Sequence, residues 1–247
     1  MTEILNQLLT ANFALGALIV VFSGLIHGYT GFGAGLLMVP LFSVLFGPVE
    51  AIAISTIVAL FGSAQLYPGA ARHANWREII PILVAVALFT PVGTYLLFNM
   101  DRDLIRRAMG GFVLLFALIL MSGWVYRGKR GVGPSVVAGA LAGAVSGATG
   151  VGGPPIAIYF LSSPQPPETQ RGNIIISVTV LVLIVLAAIA AGGGFTIETV
   201  MRGVILTPAY IAGTWSGSRL FAIAPKEYFK RVALWLLLAT GVGIMFL

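Results

Sequence analysis

The 247-residue chain has no cysteine and only two histidines, His27 and His73. Disulfides, thiol nucleophiles and thiolate metal sites are thereby excluded, and two imidazoles leave little capacity to bind a metal. No cofactor motif is present. Charge is equally scarce. The 14 basic and 8 acidic residues amount to 9% of the chain, against about 25% in a typical soluble domain. That is too little to solvate a globule of this size, which argues against a soluble enzyme. A nucleic-acid partner is also unexpected, because the basic residues are scattered through short connections and form no continuous patch, despite a net charge of +6. No Lys or Arg precedes Arg72. The basic start of a cleavable signal peptide is missing, and the first apolar segment is expected to be retained.

What the chain does have is apolar residues, 58% of the total, with a mean hydropathy of +1.01. It therefore reads as an all-α polytopic membrane protein with the lipid bilayer as its solvent. A charge at the bilayer centre costs several kcal/mol, so the charge-free stretches are its natural units. Residues 4–49 and 131–167 are long; 51–71, 79–100, 108–126, 172–197, 203–218 and 232–247 are short. Each half thus runs long, short, short, short. A span takes about 20 residues, so each short stretch holds one helix and each long one has room for two.

Both long stretches are broken near the middle by glycine, at residues 27–35 and 146–155. The breaks align at an offset of 119: Gly24 with Gly143, Gly28 with Gly147, Thr30 with Thr149, Gly31 with Gly150, Gly33 with Gly152. Gly93-Thr94 is echoed by Gly213-Thr214. This is an internal repeat, dividing the chain into residues 1–130 and 131–247. Ten segments follow: about 12–28, 32–46, 51–70, 78–98, 104–126, then 133–148, 152–164, 172–192, 199–219 and 228–246.

Orientation comes from the basic residues. Ten of them fall on one side (Arg72, Arg77, Arg127, Lys129, Arg130, Arg171, Arg219, Lys226, Lys230, Arg231) and four on the other (Arg102, Arg106, Arg107, Arg202). The richer side is expected to be cytoplasmic and both termini outside, whether the broken hairpins span fully or are re-entrant. An odd number of crossings per half makes the expected fold two inverted-topology repeats, each a glycine-broken helical hairpin followed by three transmembrane helices. Such a pattern is the best sequence pointer to a transporter and its site.

A helix starting inside the membrane leaves free N–H groups and a positive dipole end, which suits an anion. The expected substrate site is therefore Thr30, Gly31, Phe32, Gly33 and Ala34 with Thr149, Gly150, Val151, Gly152 and Gly153, joined by Asn173 from the following apolar stretch. Glycine allows the turn and close backbone approach, and the two threonines would add hydroxyl donors. Gly24, Gly28, Gly139, Gly143 and Gly147 read instead as close-packing helix faces.

The motifs Thr30-Gly31-Phe32-Gly33-Ala34-Gly35 and Thr149-Gly150-Val151-Gly152-Gly153-Pro154-Pro155, each opening a half of this length, resemble the TauE/SafE family of bacterial and plant membrane proteins linked to export of sulfite, sulfoacetate and related organosulfur anions. The resemblance runs over essentially the whole chain. It implies a small-anion carrier, most simply an exporter of sulfite or an organosulfonate, in the bacterial cytoplasmic membrane. The first half carries Phe32 and Ala34 where the second has Val151 and Gly153, so the half-sites are expected to contribute unequally.

Few other polar residues enter the apolar stretches. His27 could bind the anion or carry a proton; Gln65, Asn173 and Ser177 could line a cavity or bond between helices, and Gln65, with His27 and Arg171, could serve coupling or gating. Arg171 could attract a sulfonate or simply mark the cytoplasmic side. With no Asp or Glu inside any span, carboxylate relays are unexpected, and H⁺ or Na⁺ coupling through His27 or backbone carbonyls stays open. Two other readings share the fold or the residues. One is an anion channel or an H⁺- or Na⁺-coupled uptake system. The other, much weaker, is an intramembrane enzyme using Ser23 and His27, which are one helical turn apart.

Overall fold

The computed structural model describes residues 11–124, 126–223 and 226–245, and among them every regular element is a helix. The ten helices are α1 (Ala11–Thr30), α2 (Ala34–Phe46), α3 (Pro48–Ala71), α4 (Trp76–Asn99), α5 (Arg102–Met121), α6 (Val132–Thr149), α7 (Gly153–Leu161), α8 (Pro167–Ala191), α9 (Ile197–Ile223) and α10 (Lys226–Met245). They match the ten expected segments. The main differences are an earlier end to α5, at a turn containing Gly123 in the left-handed region (φ 68°), and an earlier start to α8, with Pro167 in its first turn.

By length and composition α3, α4, α5, α6 and α8 can cross a membrane. Helices α2 and α7, 13 and 9 residues long, cannot, since at 1.5 Å per residue they reach only about 20 and about 14 Å. The short arms of both glycine-broken hairpins are therefore half-helices. A single residue, Gly47 (φ 87°), links α2 to α3, whose first position is Pro48. Asp101 caps α5 by accepting hydrogen bonds from the N–H groups of Asp103 (2.9 Å) and Leu104 (3.2 Å).

Helices α3 and α8 pack against each other, α4 packs on α6, α9 on α1, and α10 on α5. The α4–α6 and α1–α9 contacts are made by the upstream glycines. A β-carbon on Gly143 would lie 2.8 Å from the Val86 carbonyl, and one on Gly24 would lie 2.6 Å from the Tyr210 carbonyl. These are backbone-to-backbone approaches that only glycine permits. The outward faces are apolar: Leu88, Val92 and Tyr95 on α4 are each more than half exposed, a stripe that water would not tolerate but lipid does.

Two arginines brace the far ends of the short helices. Arg202 of α9 pairs with Glu50 at the start of α3 and lies over the Phe46 ring, at 4.9 Å from its centroid. Arg130, just before α6, pairs with Glu78 (3.0 Å), donates to the Tyr159 carbonyl (2.9 Å) and covers the Tyr159 ring at 4.2 Å.

Candidate anion site at the two glycine breaks

The first break turns on Gly31 (φ 82°) and Gly33 (φ 94°), and the second on Gly150 (φ 70°). In this left-handed region a side chain is strained. The breaks meet: a β-carbon on Gly35, in the first turn of α2, would come within 2.6 Å of the Gly150 carbonyl oxygen. Between them lies a cavity of about 60 Å³, lined by Gly33, Ala34 and Gly35 from one break and by Gly150, Val151, Gly152, Gly153 and Pro154 from the other. His27, Ser146, Ser55 and Val178 complete its polar and apolar walls.

Both half-helices begin at this cavity without a side-chain cap. The first N–H groups of an α-helix have no carbonyl partner within the helix. In α2 the first bond is Leu36 N–H to the Gly33 carbonyl (3.1 Å), which leaves the two positions before it as donors. In α7 the second and third positions are Pro154 and Pro155, which have no N–H. The two ends thus differ in donor number, and α2 is the richer. The prolines cause this difference.

His27 is buried and its Nδ1 lies 2.6 Å from the Tyr210 hydroxyl on α9, leaving Nε2 buried without a protein partner. Ser55 and Ser177, on the two helices that face each other at the centre, are also buried with unpartnered hydroxyls. Tyr210 and Ser55 had no motif around them in the sequence; only their contacts bring them to the site.

The remaining expected residues fall elsewhere. The Thr30 hydroxyl donates toward its own turn, 2.8 Å from the Ile26 carbonyl and 2.5 Å from that of Phe32, and it accepts from the Phe32 N–H. Thr149 donates to the Val145 carbonyl (2.8 Å). Their hydrogens serve the helix ends in this conformation. Gly31 sits against Ile175 and Arg171, and Phe32 and Thr30 line a second cavity on the far side of the break. Asn173 accepts from the Asn75 N–H (2.7 Å) and donates to Gln165 (3.3 Å), joining two turns and not lining the central cavity. Gln65 is exposed on the outer face of α3. Arg171 donates to the Gly28 carbonyl (2.7 Å) and also lines the second cavity. The Ser23 hydroxyl bonds to no protein group, His27 included, so these two residues do not form a nucleophile–base pair.

Comparisons with known proteins place the chain in a family. The family model described as "Sulfite exporter TauE/SafE" matches residues 16–244. A protein of Cupriavidus necator named "Probable sulfite/organosulfonate exporter TauE" is 26% identical over 222 residues, 87% of each chain. No solved structure matches. With the family model covering nearly the whole chain, the protein belongs to the TauE/SafE sulfite exporter family of membrane transporters.

Proposed function

We propose that the protein is a secondary carrier that exports small sulfur oxyanions, sulfite above all, by alternating access around the central cavity. One observation carries the reading: two uncapped helix N-termini, from distant parts of the chain, open onto one buried cavity. Partial positive charge and free N–H donors converge there with no fixed cation among the described residues, which favours a small anion bound loosely enough to leave. About 60 Å³ is room for about four to six water-sized atoms. Sulfite, with four heavy atoms, suits it; sulfoacetate, with twice as many, would need a wider state.

The carrier is read as two inverted repeats, residues 1–130 and 131–247. Exchange of packing partners supports this. Gly143 abuts the Val86 carbonyl as Gly24 abuts the Tyr210 carbonyl, and Gly147 abuts the Thr90 carbonyl as Gly28 abuts the Thr214 carbonyl, the glycines shifted by 119 and their partners by 124 along the chain. The half-helices, about 20 and about 14 Å long, together make up about one bilayer thickness, as expected if they enter from opposite faces. Export of an anion needs no coupling ion, because an inside-negative potential supplies about 2.3 kcal/mol per charge per 100 mV.

The test is sulfite efflux from proteoliposomes under an imposed inside-negative potential. Saturable efflux that quickens with the potential and ignores Na⁺ and pH gradients supports the carrier. Non-saturating flux would mean a channel, and strict dependence on Na⁺ or H⁺ a coupled system.

A further inference from the structure

On the other side of the first glycine break is a larger cavity, of about 340 Å³. Its walls are mostly apolar, with Ile26, Phe32, Leu161 and Ile174 among them. It adjoins the central cavity, since Gly33 and Leu36 line both. Among the described residues its one charged side chain is Arg171.

Arg171 is incompletely compensated. One terminal nitrogen caps the end of α1 through the Gly28 carbonyl, and the guanidinium lies over the Phe221 ring at 4.5 Å from the centroid. Nε is buried and has no partner, and among the described residues no carboxylate pairs with the group. An unpaired cation withdrawn from water is costly, and a ring contact offsets only part of that cost. A helix-capping role accounts for one nitrogen, but not for the unpaired Nε or for the apolar space beside it.

We propose that this cavity is a second binding site, for anions that carry an apolar body, such as alkanesulfonates: Arg171 takes the charged head and the cavity takes the chain. Those from propanesulfonate upward are too large for the central cavity as it stands. The site therefore acts as an antechamber on the side that the basic-residue bias assigns to the cytoplasm. Binding there does not depend on the carrier reading; only the onward passage of the ligand rests on it.

The experiment is calorimetric titration of the whole protein in nanodiscs of zwitterionic lipid with methane-, butane- and hexanesulfonate, corrected for empty discs. Affinity should rise about fourfold per methylene and fall at least tenfold in Arg171→Gln. The Leu161→Trp variant alters a half-exposed wall residue and leaves the arginine alone; it should erase the chain-length gain and spare methanesulfonate. Chain-independent binding, Arg171→Gln binding like wild type, or equal binding of hexyltrimethylammonium would overturn the proposal. So would loss of hexanesulfonate binding on adding anionic lipid, which would give the site to a lipid headgroup. No flux is read, so a failure here is separate from a failure of sulfite transport.

Discussion

The carbonyl oxygen of Gly150 lies against Gly35 so closely that a β-carbon there would stand 2.6 Å from it. The two glycine breaks, one ending α6 and the other opening α2, thus meet backbone to backbone at this point. Gly35→Ala has to push that backbone apart, and overpacking of this kind costs about 1–3 kcal/mol. It should lower the melting temperature and slow transport together. Gly111→Ala, on α5 with nothing within 4 Å of its new carbon, should leave both unchanged or raise stability slightly. Melting curves of the two variants in the same detergent check this.

Pro154→Ala adds a backbone N–H at the second position of α7, on the cavity wall. A hydrogen bond to a charged group is worth about 1.5–3 kcal/mol, so the anion should bind about tenfold or more tightly and leave more slowly. A lower KM with a lower maximal rate is the expected pattern; an unchanged KM would mean that α7 does not face the substrate.

Tyr210→Phe removes the hydroxyl 2.6 Å from His27 Nδ1 and strands a fully buried ring nitrogen. The expected loss of stability is about 1–3 kcal/mol. The KM for sulfite should rise as well, because the imidazole on the cavity wall is no longer held in one orientation. Stability lost with transport constants intact would make His27 a packing residue only.

The absence of native cysteine makes sidedness directly testable. Arg127→Cys should be labelled only from the cytoplasm. Met100→Cys, at the exposed turn between α4 and α5, should be labelled by an impermeant maleimide from outside. The reverse pattern would invert the topology.

Much of this architecture is written in the order of residues. Charges gathered at the helix ends and in the turns delimit the helices, and the spacing of Gly24, Gly28, Gly139, Gly143 and Gly147 marks the faces where helices touch. The break glycines gave the location of the cavity. What one dimension hides is competition for the same atoms. Thr30 and Thr149 are spaced as anion donors, yet a free carbonyl one turn back is nearer than any ligand. Asn173 lies within an apolar stretch but faces two turns, and Gln65 faces outward. Gly152 lines the cavity, but its missing side chain is also demanded by Ala142 and Ser146 of its own hairpin, so a bulky residue there would test folding before binding. Tyr210 is joined to His27 only through the packing of α9 on α1.

Gly153 offers the cleanest probe of the proposed anion cavity. A β-carbon there meets only ordinary contacts, at 3.6 Å from Phe32 and 4.0 Å from Val178, so Gly153→Val should fold normally while filling the space at the start of α7. The measurement to make first is saturable sulfite efflux from proteoliposomes, wild type against Gly153→Val, at matched melting temperature. Efflux reduced at least tenfold in the variant is the expected result. A folded Gly153→Val protein that exports sulfite at the wild-type rate and KM would contradict an anion held between the two glycine-broken helix ends.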